Sequence, residues 1–264
     1  MDGSRGGGYA PHVSAPKDKG GGGAPRGYFQ QSRDLLNSFL LVLPLLLIYQ
    51  GGLILSGGAT GNGADLTIFL VQTWGWNALL WLNGALILIG LVGVAVLKKQ
   101  RRFEPGIALP LALESTAWAF LCGVLITWVL QRLLPPLFLP LAGGEAGLPG
   151  GVLDRVCLAL GAGVNEEFVF RLGMFGGLVW ALEKPLGGRG PAAWVALTVS
   201  STLFSLAHYL GPHESFAVYS FLFRFLAGAF FCGLFWFRGF AVAVYTHAIY
   251  DVLVMVVFPA LRGQ

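Results

Sequence analysis

Charge is what this sequence has least of. Asp, Glu, Lys and Arg make up 11% of its 264 residues, where a soluble globular domain carries about a quarter. That scarcity excludes an ordinary water-soluble fold. Cysteine is sparse as well: Cys122, Cys157 and Cys232 stand apart inside apolar runs, odd in number and without a CxxC pair. A disulfide framework and a thiolate zinc site are both unsupported, and the three read as packing residues. No GxSxG elbow and no HExxH helix occurs, so the common serine-hydrolase and zincin signatures are missing. There is no internal repeat. What the chain has in abundance is apolar surface, at 55% hydrophobic residues and a mean hydropathy of +0.70.

These proportions describe a chain whose solvent is lipid. A bilayer core of about 30 Å takes roughly 20 apolar residues per helix. Runs of that kind lie at about 38–56, 77–97, 111–134, 152–182, 192–210, 215–237 and 239–258. The reading is an all-α, polytopic transmembrane helical bundle of about seven to eight helices. The eighth would come from a break in 152–182, a run with Gly161, Gly163, Gly173, Gly176 and Gly177 in which a tilt, a kink or close packing is expected. Loop signals are short, as at Pro135-Pro136, Gly143-Gly144, Gly187 to Pro191 and Gly211-Pro212.

Residues 1–36 are rich in Gly and Pro with scattered Lys and Arg, and have too little apolar surface to offset the entropy of ordering. They read as a disordered cytoplasmic tail before a transmembrane domain at 37–264. No small-residue cleavage site marks a secretory signal, so the first apolar run is expected to stay as an anchor.

The net charge of +4 is topological and does not indicate a nucleic-acid partner. Lys17, Lys19, Arg26 and Arg33 precede the first run, Lys98, Lys99, Arg101 and Arg102 follow the second, Lys184 and Arg189 the fourth, and Arg238 the sixth. With seven spans all lie on one side, which predicts a cytoplasmic N-terminus. Arg132, Arg155 and Arg262 dissent. Gly and Ala richness suits a bacterial inner membrane.

Ionisable residues inside a spanning helix cost several kcal/mol and mark either a functional site or a paired network. Here they concentrate in the last four helices: Glu166, Glu167 and Arg171, then His208, then Arg224, then His247 and Asp251. Glu114 and Arg132 lie near the ends of the third run, where water reaches. Glu167 and Arg171, four apart, share a face and neutralise one another, while Glu166 is turned by about 100° and points elsewhere. His247 and Asp251 are also four apart, and Phe204 shares a face with His208. Counted from the cytoplasmic ends, Glu166 and His208 sit roughly 24 Å deep, Asp251 about 18 Å and His247 about 12 Å. A single cavity in the middle to outer half of the bilayer could hold all four.

Hydrolysis of a peptide needs an activated water and a donor for the oxyanion. Glu166 with His208 suits the first task and His247 with Asp251 the second. Glu166, His208, His247 and Asp251 are also competent metal ligands. Their spacing matches no helix-borne zinc pair, so a metal-free, cofactor-free reaction ranks first and a zinc-dependent variant second. Arg224 is read as a partner for Glu167 or Asp251.

The string Gly163-Val-Asn-Glu-Glu-Phe-Val-Phe-Arg171, then Phe204-x-x-x-His208, Phe225-x-x-Gly228 with Gly233, and His247-x-x-x-Asp251 resembles the ordered motifs of the CAAX-protease and bacteriocin-processing family of intramembrane glutamic endopeptidases. The resemblance covers about 150–258. It implies that Glu166 and His208 activate water, that His247 helps to form the oxyanion hole, and that Glu167 and Arg171 support the site. The last motif commonly ends in Asn, whereas this chain has Asp251. An Asp donates only when protonated, which burial without a cation favours; an ionised Asp251 orienting a protonated His247 is the other reading. The implied partners are a membrane-associated or exported protein substrate and membrane lipid. A site on the outer half is similar to the myxosortase-like branch. The competing readings are a non-catalytic immunity or scaffold protein and a proton-relay transporter. The absence of repeat symmetry counts against the transporter.

Overall fold

The computed structural model describes residues 27–55, 71–99, 105–134, 151–209 and 216–262. Among the described residues every regular element is helical. A short helix, α1 (Tyr28–Arg33), turns at Asp34 into α2 (Leu35–Leu55), followed by α3 (Trp76–Lys99). A 3-10 turn at Pro105–Ile107 opens α4 (Ala108–Leu133). Next, α5 (Val152–Glu166) runs through a π-helical segment, Glu167–Phe175, into α6 (Gly176–Leu182). The last helices are α7 (Arg189–Ala207), α8 (Val218–Arg238) and α9 (Phe240–Val252), the last passing through a π-turn at Leu253–Val257 to α10 (Phe258–Leu261).

Within the described residues, helix is found in each of the seven apolar runs. The run 152–182 is helical throughout, with α5 and α6 joined by the π-helical segment Glu167–Phe175. Among the described residues five stretches are long and apolar enough to cross a bilayer: Leu35–Leu55, Ala108–Leu133, Arg189–Ala207, Val218–Arg238 and Phe240–Leu261. The chain is a multi-pass membrane protein. Its exterior is correspondingly apolar, with Leu55, Trp81 and Trp180 more than four-fifths exposed, while Gln50, Ser115, Ser201 and Thr246 are buried. Trp180 and Trp194 are exposed, as aromatic anchors at the headgroup level would be.

Helix α9 is the axis of the bundle. Ala241, Val242, Ala243 and Val244 are fully buried, an all-round apolar pattern that only a surrounded helix shows. Small residues let its neighbours approach. A Cβ added at Gly163 would lie 2.7 Å from both the Ala248 nitrogen and the Ala248 Cβ. This is the close backbone packing that substitutes in lipid for a hydrophobic driving force. Gly163→Ala is therefore expected to destabilise the protein by about 1–3 kcal/mol through overpacking. A lowered unfolding midpoint in detergent is the readout, and an unchanged midpoint would show that α5 and α9 separate without cost.

Two expectations need correction. Residues 27–36 were assigned to a disordered tail, yet 28–33 are helical and packed; residues 1–26 lie outside the described residues. Glu114, expected to be solvated, is instead the centre of a clasp. Arg238 donates from Nη2 to its Oε2 at 2.7 Å, Trp118 Nε1 donates to Oε1 at 3.0 Å, and the Tyr28 hydroxyl donates to Oε2. The Arg238 guanidinium also covers the Phe29 ring at 4.3 Å. Burial, then the adjacent carboxylate, hold the Tyr28 phenol above its ordinary pKa. The clasp fastens α1 to the start of α4 and the end of α8, three places that the charge pattern assigns to one side of the membrane. Beside it, Gly239 has φ +95°, and a Cβ there would meet the Ser32 carbonyl oxygen at 2.9 Å. The entry to α9 is therefore closely covered by α1.

Candidate active site

Helix α5 delivers Glu166 at its last α-helical position, and Glu167 opens the π-helical segment. In that segment the Gly176 N–H reaches back five residues to the Arg171 carbonyl. The Phe170 carbonyl accepts a hydrogen bond from Ser200 Oγ at 2.7 Å. A side chain from α7 thus supplies a bond to a loosened turn, an arrangement common where helices carry functional groups. Nothing in the Ser200 sequence context points to this role.

His247, on α9, is where the polar groups meet. Its Nδ1 is 2.7 Å from Glu167 Oε1, while its Nε2 lies 3.5 Å from Asp251 Oδ2 and 3.8 Å from Glu166 Oε2. The 100° between Glu166 and Glu167 does not send them to different places. It brings them to opposite edges of one imidazole. A carboxylate at Nδ1 fixes the tautomer, because an ionised carboxylate only accepts. The contact suits an Nδ1–H that donates to Glu167, and Nε2 faces Glu166 and Asp251.

Arg171 pairs with Glu167 at 3.1 Å, both fully buried, as the four-residue spacing predicts. Its guanidinium lies over the Phe204 ring at 4.2 Å and the Phe231 ring at 5.2 Å. Phe231 also stacks on His247, with centroids 4.6 Å apart and planes at 14°. Phe204 stands edge-on to His247 at 6.2 Å and to His208 at 5.0 Å. Two aromatic rings therefore hold the cation and the imidazole, and one of them reaches the second histidine. Phe231 escaped the sequence reading, although its place three residues after Gly228 puts it on the face that packs against α7.

Four of the expected site residues touch His247 or Glu167 directly: Glu166, Glu167, Arg171 and Asp251. His208 joins through Phe204, and its Nδ1 lies 2.9 Å from the Phe204 carbonyl oxygen. The depth estimates put Glu166 and His247 about 12 Å apart along the membrane normal, yet their side chains are 3.8 Å apart. The first turn of α9 is buried in the protein under α1, so its end does not mark the membrane surface. Glu167 takes Arg171 and His247 as partners, whereas Arg224 places its guanidinium over the Tyr209 ring at 5.5 Å.

These residues all lie in one stretch of chain. Residues 149–253 match the family model described as type II CAAX prenyl endopeptidase Rce1-like. This segment resembles a CAAX-protease family domain. No curated protein and no solved structure matches the chain. The CAAX-protease family implies a membrane protease, and the matched segment spans Glu166 to Asp251 with the π-helical segment Glu167–Phe175. Among the described residues no three His, Cys, Asp or Glu side chains form a metal-ligand set. The donors at His247 interlock with one another instead. An open apolar groove of about 500 Å³ runs between α4 and the end of α9, past Tyr250 and Leu253. The site carboxylates do not line it.

Proposed function

We propose that the chain is an intramembrane endopeptidase that hydrolyses a peptide bond in a membrane-associated or exported protein. The observation that carries this reading is the two-sided setting of His247, anchored at Nδ1 by Glu167 and facing Glu166 and Asp251 at Nε2. Glu166 with His208 holds a water and takes its proton as the oxygen attacks the scissile carbonyl. His247 Nε2–H donates to the oxyanion that forms. Collapse of the intermediate then returns the proton to the leaving amine. Arg171 and Glu167 keep the imidazole in place and charged.

Charge balance suggests the state of Asp251. Glu166, Glu167 and Asp251 stand together in a membrane interior, where uncompensated carboxylate charge is expensive. Glu167 is held by Arg171 and His247 and Glu166 serves as the base, so Asp251 is read as the carboxyl that keeps its proton. Asp251 then stands as a second donor to the oxyanion, the task an Asn performs in the family pattern. Asp251→Asn is expected to keep kcat within about threefold. Asp251→Leu should lose about 10²-fold, the usual worth of an oxyanion donor. A large loss in Asp251→Asn would instead assign Asp251 to the ionised, orienting role.

The function itself is tested in the native host. Membrane and secreted proteomes are compared between cells carrying the wild-type chain and cells carrying Glu166→Ala at equal abundance. Uncleaved precursors are expected only in the second. Identical processing with normal folding would refute proteolysis and favour the scaffold or immunity reading. Cleavage that survives verified metal removal would exclude the zinc-dependent variant. The charge pattern supports a cytoplasmic N-terminus, the Gly and Ala richness suits a bacterial inner membrane, and the depths of Glu166 and His208 put the site toward the outer half. Exported proteins with a C-terminal sorting segment, as for the myxosortase-like branch, fit that orientation better than prenylated cytosolic ones.

A further inference from the structure

The groove between α4 and the end of α9 takes no part in the chemistry above, yet its length and its polarity identify an occupant. On α4 it is lined from Ala119 to Gln131, a stretch that rises about 18 Å. The clasp at Glu114 and Trp118 occupies the turns before it. The groove therefore follows only the half of the spanning helix that ends at Leu133, about the depth of one leaflet of a 30 Å hydrocarbon core. A transmembrane helix crosses both leaflets and would leave half of its length without a partner here. An acyl chain held in one leaflet is covered from end to end.

The lining changes character along that half. Phe120 and Val124 wall the deep part, and Gly123 lets α9 come close, since a Cβ there would lie 3.2 Å from the Tyr250 ring. Toward the end of α4 the lining turns polar or amphipathic, with Thr127, Trp128 and Gln131. Directly after them comes Arg132, one of the three cations that break the charge pattern. It is exposed, and its guanidinium lies over the Trp128 ring at 5.7 Å. Among the described residues no carboxylate pairs with it. A tryptophan at headgroup depth with a guanidinium beside it suits a phosphate diester at the interface. A cation without a carboxylate favours a headgroup of net negative charge.

We propose that this groove binds one anionic phospholipid from the leaflet at the end of α4, with an acyl chain along Phe120, Gly123 and Val124 and the phosphate at Arg132 and Gln131. The seated lipid bears on α9, because Tyr250, the residue before Asp251, forms part of the same wall. The site lies beyond the endopeptidase reading and does not depend on it. Should Glu166→Ala process every protein normally, proteolysis falls and the lipid site stands.

The test uses the full-length chain in mild detergent. Native mass spectrometry counts bound lipid as phosphatidylglycerol or phosphatidylcholine with the same acyl chains is added. The wild-type chain should bind one phosphatidylglycerol roughly tenfold more tightly than phosphatidylcholine, the low end for a charge-assisted pair because Arg132 is exposed. Arg132→Gln should erase that preference and Arg132→Lys should keep part of it. Val124→Trp, which fills the groove from an exposed position, should weaken both lipids by a similar factor. Inorganic phosphate should not displace the lipid; displacement by phosphate alone would make this a simple anion site and overturn the proposal. Equal affinity for the two lipids on the wild-type chain overturns it whether or not any variant folds. So does phosphatidylglycerol binding that neither Arg132→Gln nor Val124→Trp alters. Two other occupants have their own signatures. A wild-type dimer that Val124→Trp dissociates would make the groove an interface between copies. A raised KM in Val124→Trp, for a fluorogenic peptide spanning the junction mapped in the host experiment, with lipid binding unchanged, would give the groove to the substrate. Either result overturns the lipid site.

Discussion

Arg171→Met is expected to remove about 3–5 kcal/mol of stability, the usual result of deleting one partner of a buried ion pair. Arg171 and Glu167 are both fully buried and 3.1 Å apart, so the variant leaves a carboxylate in the core with only His247 to balance it. The aromatic sandwich is lost with the cation, since methionine cannot reproduce a guanidinium lying over Phe204 and Phe231. The measurement is the unfolding midpoint in detergent. A second variant separates stability from catalysis. Replacing the pair together, as Arg171→Met with Glu167→Gln, removes the stranded charge and should recover part of the midpoint. It should not recover activity, because a neutral amide at Nδ1 no longer favours the charged imidazole. Full recovery of both would show that the pair serves folding alone.

The second large effect separates two neighbours that a sequence cannot tell apart by type. Glu166→Gln should lower the unfolding midpoint less than Glu167→Gln does, because Glu166 stands 3.8 Å from His247 whereas Glu167 is held at 2.7 Å by His247 and at 3.1 Å by Arg171. It should lower kcat by about 10³-fold, within the range a positioned general base contributes. Glu167→Gln should show the opposite emphasis: a clear loss of midpoint, and a smaller loss of rate that arises through His247. Single-turnover cleavage of the mapped peptide gives the rate and thermal unfolding gives the stability. If Glu166→Gln retains more than a tenth of the rate, Glu166 is not the base, and His208 would have to act by itself.

The sequence made the membrane fold legible because lipid imposes one simple requirement, a long apolar run for each crossing, and every run found that way is helical. The pairing of Glu167 with Arg171 was equally readable, since helical phase alone puts residues four apart on one face. Three features were hidden. The π-helical turns at Glu167–Phe175 and Leu253–Val257 leave no mark in the hydropathy pattern, because their cause is tertiary, as in the Ser200 bond to Phe170. The meeting of Glu166 with His247 was obscured by counting depth from helix ends, a method that fails when one helix begins inside the protein. Glu114 was misread because proximity to a helix end was equated with water, whereas Arg238, Tyr28 and Trp118 occupy the space where water would be.

The α1 clasp also bears on how little of the chain could stand by itself. The family match begins at residue 149, and every proposed catalytic residue lies beyond that point. Yet the helix that carries His247 and Asp251 has α1 across its entry, with α2 and α4 along its flanks through Leu41, Val42 and Leu111. Tyr49 of α2 lies against Gly161, one turn before the site. The smallest autonomous unit is thus much longer than the stretch bearing the motifs, and a shortened version intended to keep the site has to start ahead of Tyr28. In this protein the first third of the described chain supplies no reactive group, but it forms part of the wall that the reactive groups lean on.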